Sequence, residues 1–200
     1  MRVLVVGATG TIGRAVVEAL RGAQLDVVGA SRHDADVKVD IMQPDAIRGM
    51  FEELGAVDAV VSCAGGAAWK PLEALTDADF AHSLAYKLMG QVNLVRFGMP
   101  HVRDGGSITL TSGVLAQQPT PGSAAVSLVN AGLEGFGRAA TLEAPRGIRV
   151  NVVSPGWVTD TLAAMGQDPS TGVTPEDVAR VYVASVTGTD AGAVLPAMDR

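Results

Sequence analysis

Arg2-Val3-Leu4-Val5-Val6-Gly7-Ala8-Thr9-Gly10-Thr11-Ile12-Gly13 decides how this chain folds. Arg2 to Val6 is a short run of strand-forming residues, mostly β-branched and apolar, that stops at a glycine, as a buried strand does. After it, Ile12, Val16, Val17 and Leu20 recur at helical spacing, and Gly22 stands past the end as a stop. Leu25 to Ala30 predicts the next strand, Asp36 to Val39 a brief third one, Pro44 to Leu54 a helix with proline in its first turn, and Asp58 to Ser62 a fourth strand. Strands alternating with helices over short links call for a parallel sheet covered on both faces, joined by right-handed crossovers.

The rest of the chain continues the pattern. Thr76-Asp77-Ala78-Asp79 opens a helical region carrying the stripe Leu84, Leu88, Val92, Val95 and Met99, which predicts one helix over 83–103. Gly106 to Thr111 predicts a fifth strand, and 123–143 a helix with the stripe Val126, Val129, Leu133, Phe136 and Ala140. Ile148 to Val153 predicts a sixth strand, Thr174-Pro175-Glu176-Asp177 the start of a last helix, and Val194-Leu195 a last short strand. No repeat or linker divides the 200 residues, so residues 1–200 are expected to form a single domain.

Composition removes whole classes of function. With 4% aromatic residues the core is built from Val, Ala, Leu and Ile. A net charge of -6 argues against a nucleic-acid partner. No apolar run is long enough for a membrane span. One cysteine, Cys63, excludes a disulfide scaffold, and Met-Arg followed at once by strand residues leaves no room for a signal peptide, so a cytoplasmic location is expected. His33, His82 and His101 lie far apart with no metal-ligand spacing, and no metal site is expected.

The Gly7–Gly13 turn has a chemical reading beyond its shape. Small residues between a strand and a helix let backbone approach a pyrophosphate, and the free N–H groups and positive dipole end of the helix attract it. Gly13 would let the helix pack closely on the sheet. Gly7, Thr9, Gly10, Thr11, Ile12 and Gly13 are therefore candidate dinucleotide contacts, although the spacing G-x-x-G-x-x-G differs from the commonest fingerprint. The second strand ends at Gly29-Ala30-Ser31-Arg32, with no acidic residue to hold ribose hydroxyls. Ser31 and Arg32 suit a 2′-phosphate instead, which favours NADP(H) over NAD(H). Asp34 and Asp36 follow closely and could still reach the ribose.

Gly7–Gly13, Val39-Asp40-Ile41, Cys63-Ala64-Gly65-Gly66, Ser107–Ser112, Pro145–Asn151 and Ser154-Pro155-Gly156-Trp157 follow one another in an order that resembles the short-chain dehydrogenase/reductase family from residue 2 to about 198. The resemblance implies a doubly wound, Rossmann-type parallel sheet of order 3-2-1-4-5-6-7. It implies that Asp40 and Ile41 meet the adenine, that Cys63, Ala64 and Gly65 stand where the family usually has Asn-Ala-Gly, and that Ser112 polarises the substrate. Pro155, Gly156 and Val158 would touch the nicotinamide amide, with Thr159 or Thr161 as the threonine that follows. In the family, helices such as 83–103 and 123–143 form the subunit interface, which implies a homodimer or homotetramer.

One departure stands out. The family's proton donor is a tyrosine with a lysine four residues later. With Glu134-Gly135-Phe136 set against that helix, the tyrosine position falls on Val126 and the lysine position on Asn130. The family's asparagine on the preceding helix falls on Lys87, so lysine and asparagine have traded places, and Lys87 could bring its ammonium toward the nicotinamide ribose. The chain is similar to a subgroup of about 200 residues that keeps the glycine turn and lacks the pair. Three functions remain open. One is an NADP(H)-dependent reductase of a small carbonyl or imine with a non-standard proton source, using Ser112, Lys87 and Asn130. The second is a dinucleotide-binding sensor or partner subunit without redox turnover, and the third a non-redox enzyme using the same cleft. Trp69 and Trp157 follow strands at the ligand end of the sheet and are candidate pocket residues, as is Met165 at the start of a lid-like segment over 166–172.

Overall fold

The computed structural model describes residues 1–198. Seven parallel strands form one sheet in the order β3-β2-β1-β4-β5-β6-β7. They are β1 (Arg2–Val6), β2 (Asp26–Ser31), β3 (Val37–Lys38), β4 (Val57–Ser62), β5 (Val102–Thr111), β6 (Arg149–Pro155) and β7 (Val194–Ala197). The helices are α1 (Thr11–Gly22), α2 (Pro44–Leu54), α3 (Asp77–Ser83), α4 (Gly90–Gly98), α5 (Ala124–Glu143), α6 (Thr159–Ala164) and α7 (Pro175–Thr187).

The two-residue period of β1 feeds two cores. Leu4 and Val6 point to the layer holding Ile47, Phe51, Leu94 and Leu133, from α2, α4 and α5. Val3 and Val5 point to the opposite layer with Val16, Leu20, Val178 and Tyr182, from α1 and α7. A strand buried on both faces must be apolar at every position, which is why β1 reads as an unbroken hydrophobic run. The strand order grows one way from β1 and the other way from β4, which leaves a crevice beyond their carboxyl ends, where the loops after β1, β4, β5 and β6 converge.

The expected helix over 83–103 is not one regular helix. Thr76 caps α3 through a capping box with Asp79. The helix then passes through a π-helical segment, Leu84–Met89, before α4, ends in a 3₁₀ turn at Met99–His101, and gives way to β5 already at Val102. Wide i→i+5 turns rotate one side of the helix against the other. Leu84 accordingly leaves the apolar stripe and is exposed, whereas Val92 and Val95 stay buried. β5 starts four residues earlier than the pattern suggests because Arg103, Asp104, Gly105 and Gly106 carry no strand-like alternation, and its pairing with β4 is irregular there.

Candidate active site

The first half of the crevice is made mostly of backbone. Gly7 has φ +86° and a side chain there would lie 2.7 Å from Ala64 N. A Cβ on Gly13 would lie 2.0 Å from Gly7 O, so the first turn of α1 sits directly on the loop that precedes it. Gly10 is the N-cap, and no side chain caps α1, which leaves its first N–H groups facing outward for an anion. Gly7, Thr9, Gly10, Ser31, Arg32, Ile41, Cys63, Ala64, Gly65 and Tyr86 share the wall of this cavity. Thr11 is exposed at the helix start, and Gly13 lies buried beneath the turn.

The acidic residues near β2 stay off this cavity. Asp36 accepts the Gly29 N–H at 2.8 Å, and neither it nor Asp34 lines the cavity. Asp40 accepts the Met42 N–H at 3.0 Å and lines a neighbouring hollow with Arg32 and Lys38, while Ile41 faces the main cavity. Ser31 Oγ receives hydrogen bonds from Thr9 Oγ1 and the His33 N–H, both at 3.1 Å, and donates to His33 O. Arg32 is exposed, with its guanidinium 5.5 Å from the centre of the Tyr86 ring.

The second half is made of side chains. Here the backbone of Thr111, Ser112 and Gly113, at and just past the end of β5, is held by three side chains. Gln91 of α4 donates to Thr111 O at 2.9 Å and accepts from Thr111 N at 2.8 Å. Lys87 Nζ donates to Ser112 O at 3.1 Å, and Asn130 Nδ2 donates to Gly113 O at 3.4 Å. Among the described residues, Asn130 Oδ1 is buried with no hydrogen-bond partner. Turning the amide over would set that oxygen against Gly113 O, so the orphaned acceptor is a property of the site rather than of the amide assignment.

Ser112 Oγ donates to Glu134 Oε1 at 2.9 Å, and Gln117 Nε2 donates to the other carboxylate oxygen. Glu134 is 5% exposed. Neither Glu134 nor Gln117 emerges as a functional residue from the sequence. The available signal is the spacing Val126, Asn130, Glu134, which stacks three residues on one face of α5 at successive turns.

Lys87, Ser112, Asn130, Cys63, Ala64, Gly65, Ile12, Val126, Pro155, Gly156, Trp157, Val158 and Thr161 line this cavity together. Thr161 faces it, whereas Thr159 Oγ1 turns to Asp160. Lys87 is half-buried, and burial draws its pKa down to about 8, against a smaller opposing effect of Cys63. Burial pushes the Cys63 thiol up to about 12, which makes it a poor nucleophile. Tyr86 lines the first cavity, not this one. Tyr182 is fully buried beside Thr111, and burial raises its phenol well above the usual value.

Two of the three expected substrate-pocket residues do not reach this wall. Trp157 does, and Trp69 packs edge-on against it with 5.5 Å between ring centroids. Trp69 leans away from the cavity because the loop after β4 is tied to the loop before α5, where Lys70 N donates to Gly122 O at 3.1 Å. Met165 is exposed at the end of α6, and the segment after it closes on itself in a turn where Asp168 accepts the Ser170 N–H at 2.9 Å.

Comparison with known proteins agrees with this architecture. A family model described as enoyl-(acyl carrier protein) reductase matches residues 7–194. An uncharacterised oxidoreductase of Schizosaccharomyces pombe is 31% identical over 211 residues, covering 90% of this chain and 81% of that protein. A 3-oxoacyl-[acyl-carrier-protein] reductase of Escherichia coli is 31% identical over 193 residues, covering 85% and 79%. Among solved structures, the protein lin1944 of Listeria innocua superposes with a TM-score of 0.94 at 38% identity, covering 98% of both chains. A small-chain dehydrogenase in complex with NADPH superposes at 0.87 with 25% identity, covering 98% of this chain and 95% of that one. A family match over nearly the whole length, joined to this sheet order and this glycine turn, makes the chain a member of the short-chain dehydrogenase/reductase family.

Proposed function

We propose that the protein is an NADP(H)-dependent reductase of a small carbonyl or imine in which Lys87 replaces the missing tyrosine as proton source. The observation that carries this reading is the placement of Lys87, with its pKa lowered to about 8, on the same wall as Ser112. Lys87 and Cys63 are the titratable groups on that wall, and the thiol at about 12 is too weak an acid near neutrality.

The residues fit a dinucleotide. Gly7 and Gly13 have no room for a side chain, and the turn offers uncapped N–H groups of α1 to the pyrophosphate. Arg32 on a wall free of acidic residues suits a 2′-phosphate, and NADPH is bound by a solved relative of the same architecture. The orphaned Asn130 Oδ1 suits a ribose hydroxyl as donor. When bound, the reduced nicotinamide supplies a hydride. Ser112 faces the reacting double bond, Lys87 gives its proton to the atom that gains electrons, and Trp157 and Val126 keep that end of the cavity apolar. Exposed Leu84, Met89 and Leu128 on the outer side of the helices support a homodimer or homotetramer.

The test is Lys87→Met. Turnover of NADPH with small imines and ketones is expected to fall by roughly 100-fold or more, the scale of a positioned general acid. The wild-type rate falls as pH rises through about 8, and the variant loses that limb. NADPH affinity held within threefold alongside unchanged turnover would reject the role of Lys87. Binding without any turnover in the wild type would instead favour the reading as a sensor or partner subunit, to which the apolar Val126 in the tyrosine position points.

A further inference from the structure

We propose that the substrate presented to Ser112 carries an N–H, which makes it an imine bound as its protonated iminium rather than a ketone or aldehyde. The inference deepens the reductase reading and rests on it. The neighbours of Ser112 Oγ are Glu134 Oε1 at 2.9 Å and Val153 O at 3.5 Å. Both are acceptors. A hydroxyl has one proton, so the proton of Ser112 is committed to the protein while its lone pairs have no donor. Gln117 donates to the other Glu134 oxygen, which leaves the carboxylate satisfied as an anion behind the serine. Lys87 occupies the carbonyl of Ser112. At Ser112 Oγ the wall therefore offers an acceptor, so a carbonyl oxygen has the Lys87 ammonium rather than the serine as its donor.

The two substrate classes meet this wall differently. A ketone oxygen has only lone pairs. To bind it through Ser112, the hydroxyl must turn its proton away from Glu134 and strand a buried carboxylate one donor short, a change worth about 10- to 100-fold in affinity. An iminium N–H finds the serine lone pairs as they stand, with the Glu134 charge behind them. The proton comes from Lys87: the imine nitrogen lone pair takes it, the Nζ–H bond breaks, Lys87 becomes neutral and the new N–H turns to the Ser112 lone pairs, so the cavity holds one positive charge throughout. The substrate carbon accepts the hydride of the reduced nicotinamide, and the C=N π pair becomes the nitrogen lone pair of the product amine. Lys87 recovers its proton from water. One imine, one reduced dinucleotide and one proton give one amine and one oxidised dinucleotide.

The experiment compares 2-methyl-1-pyrroline with cyclopentanone as substrates, and measures 2-methylpyrrolidine against cyclopentanone binding by calorimetry with and without saturating NADP+. Wild-type protein is expected to bind the amine at least tenfold more tightly than the ketone and to reduce the pyrroline preferentially. Glu134→Gln keeps the network bonded, because its oxygen can accept from Gln117 while its amide donates to Ser112 Oγ and frees the hydroxyl proton for the cavity. Amine affinity then falls at least tenfold and the ketone gains. Ser112→Ala, a second variant, lowers amine binding and leaves ketone binding alone. Equal binding of amine and ketone, binding of neither, or an unchanged preference in Glu134→Gln with NADPH still bound would overturn the inference and leave the reductase reading standing. Failure of NADPH itself to bind would remove that reading first.

Discussion

The two halves of the crevice are built on different principles. Beside Gly7 the wall is main chain, held open by turns that no side chain could enter, and its chemistry is that of N–H groups and a helix end. Beside Ser112 the wall is side chain, with Lys87 and Gln91 from one continuous helical stretch and Asn130 and Glu134 from α5 holding Thr111, Ser112 and Gly113 at the end of β5. Backbone sites tolerate almost any neighbouring sequence once the glycines are in place. Side-chain sites can be rewired by a few substitutions, and here Val126 and Lys87 share the cavity wall beside Ser112. The first half carries the shared task of holding a dinucleotide, and the second carries what is particular to this chain.

Substitutions that keep one half intact while damaging the other sharpen this contrast. Gly13→Ala places a methyl 2.0 Å from Gly7 O. The turn must move, and dinucleotide affinity measured by calorimetry should drop at least about 100-fold, near 3 kcal/mol. Equal affinity in that variant would show that the turn is not the binding element. Gln91→Leu removes both bonds to Thr111 and leaves a buried N–H and C=O unpaired. A loss of roughly 2–4 kcal/mol in chemical denaturation is expected. Arg32→Ala should narrow the preference for NADPH over NADH by roughly 10- to 100-fold, with NADH affinity itself unchanged.

The smallest effect concerns stability and pH. Lys87 titrates at about 8 in the folded chain against 10.5 for an unperturbed lysine. Between those values the unfolded chain binds more protons, so stability rises with pH across that window, and below it the buried ammonium costs the fold energy. Lys87→Met should therefore be more stable than the wild type at pH 7 by roughly 1–3 kcal/mol, a gain that shrinks toward zero by about pH 10.5. Denaturation curves showing the same difference at both ends of that range would mean that Lys87 is not desolvated.

Legibility followed the same division. The sheet order, the strands around Gly7 and the helix from Pro44 to Leu54 follow from periodicity and turn residues together with the family pattern, because these elements satisfy local preference and global packing at once. The π-helical segment was not legible, since Leu84 and Leu88 fit a regular stripe equally well on paper. The segment matters because it carries both Tyr86 and Lys87, one facing each half of the crevice. Glu134 and Gln117 escaped notice for another reason. A carboxylate on a helix and a glutamine in a loop look like solvated surface until a distant serine hydroxyl is brought within 2.9 Å.

Titrating the purified protein with NADPH and NADH in a calorimeter tests the account most directly. The Gly7 turn, the Arg32 wall and the orphaned Asn130 oxygen predict one NADPH per chain, bound at least tenfold more tightly than NADH. Binding of neither dinucleotide would contradict the account at its centre, and tighter binding of NADH would contradict the role given to Arg32.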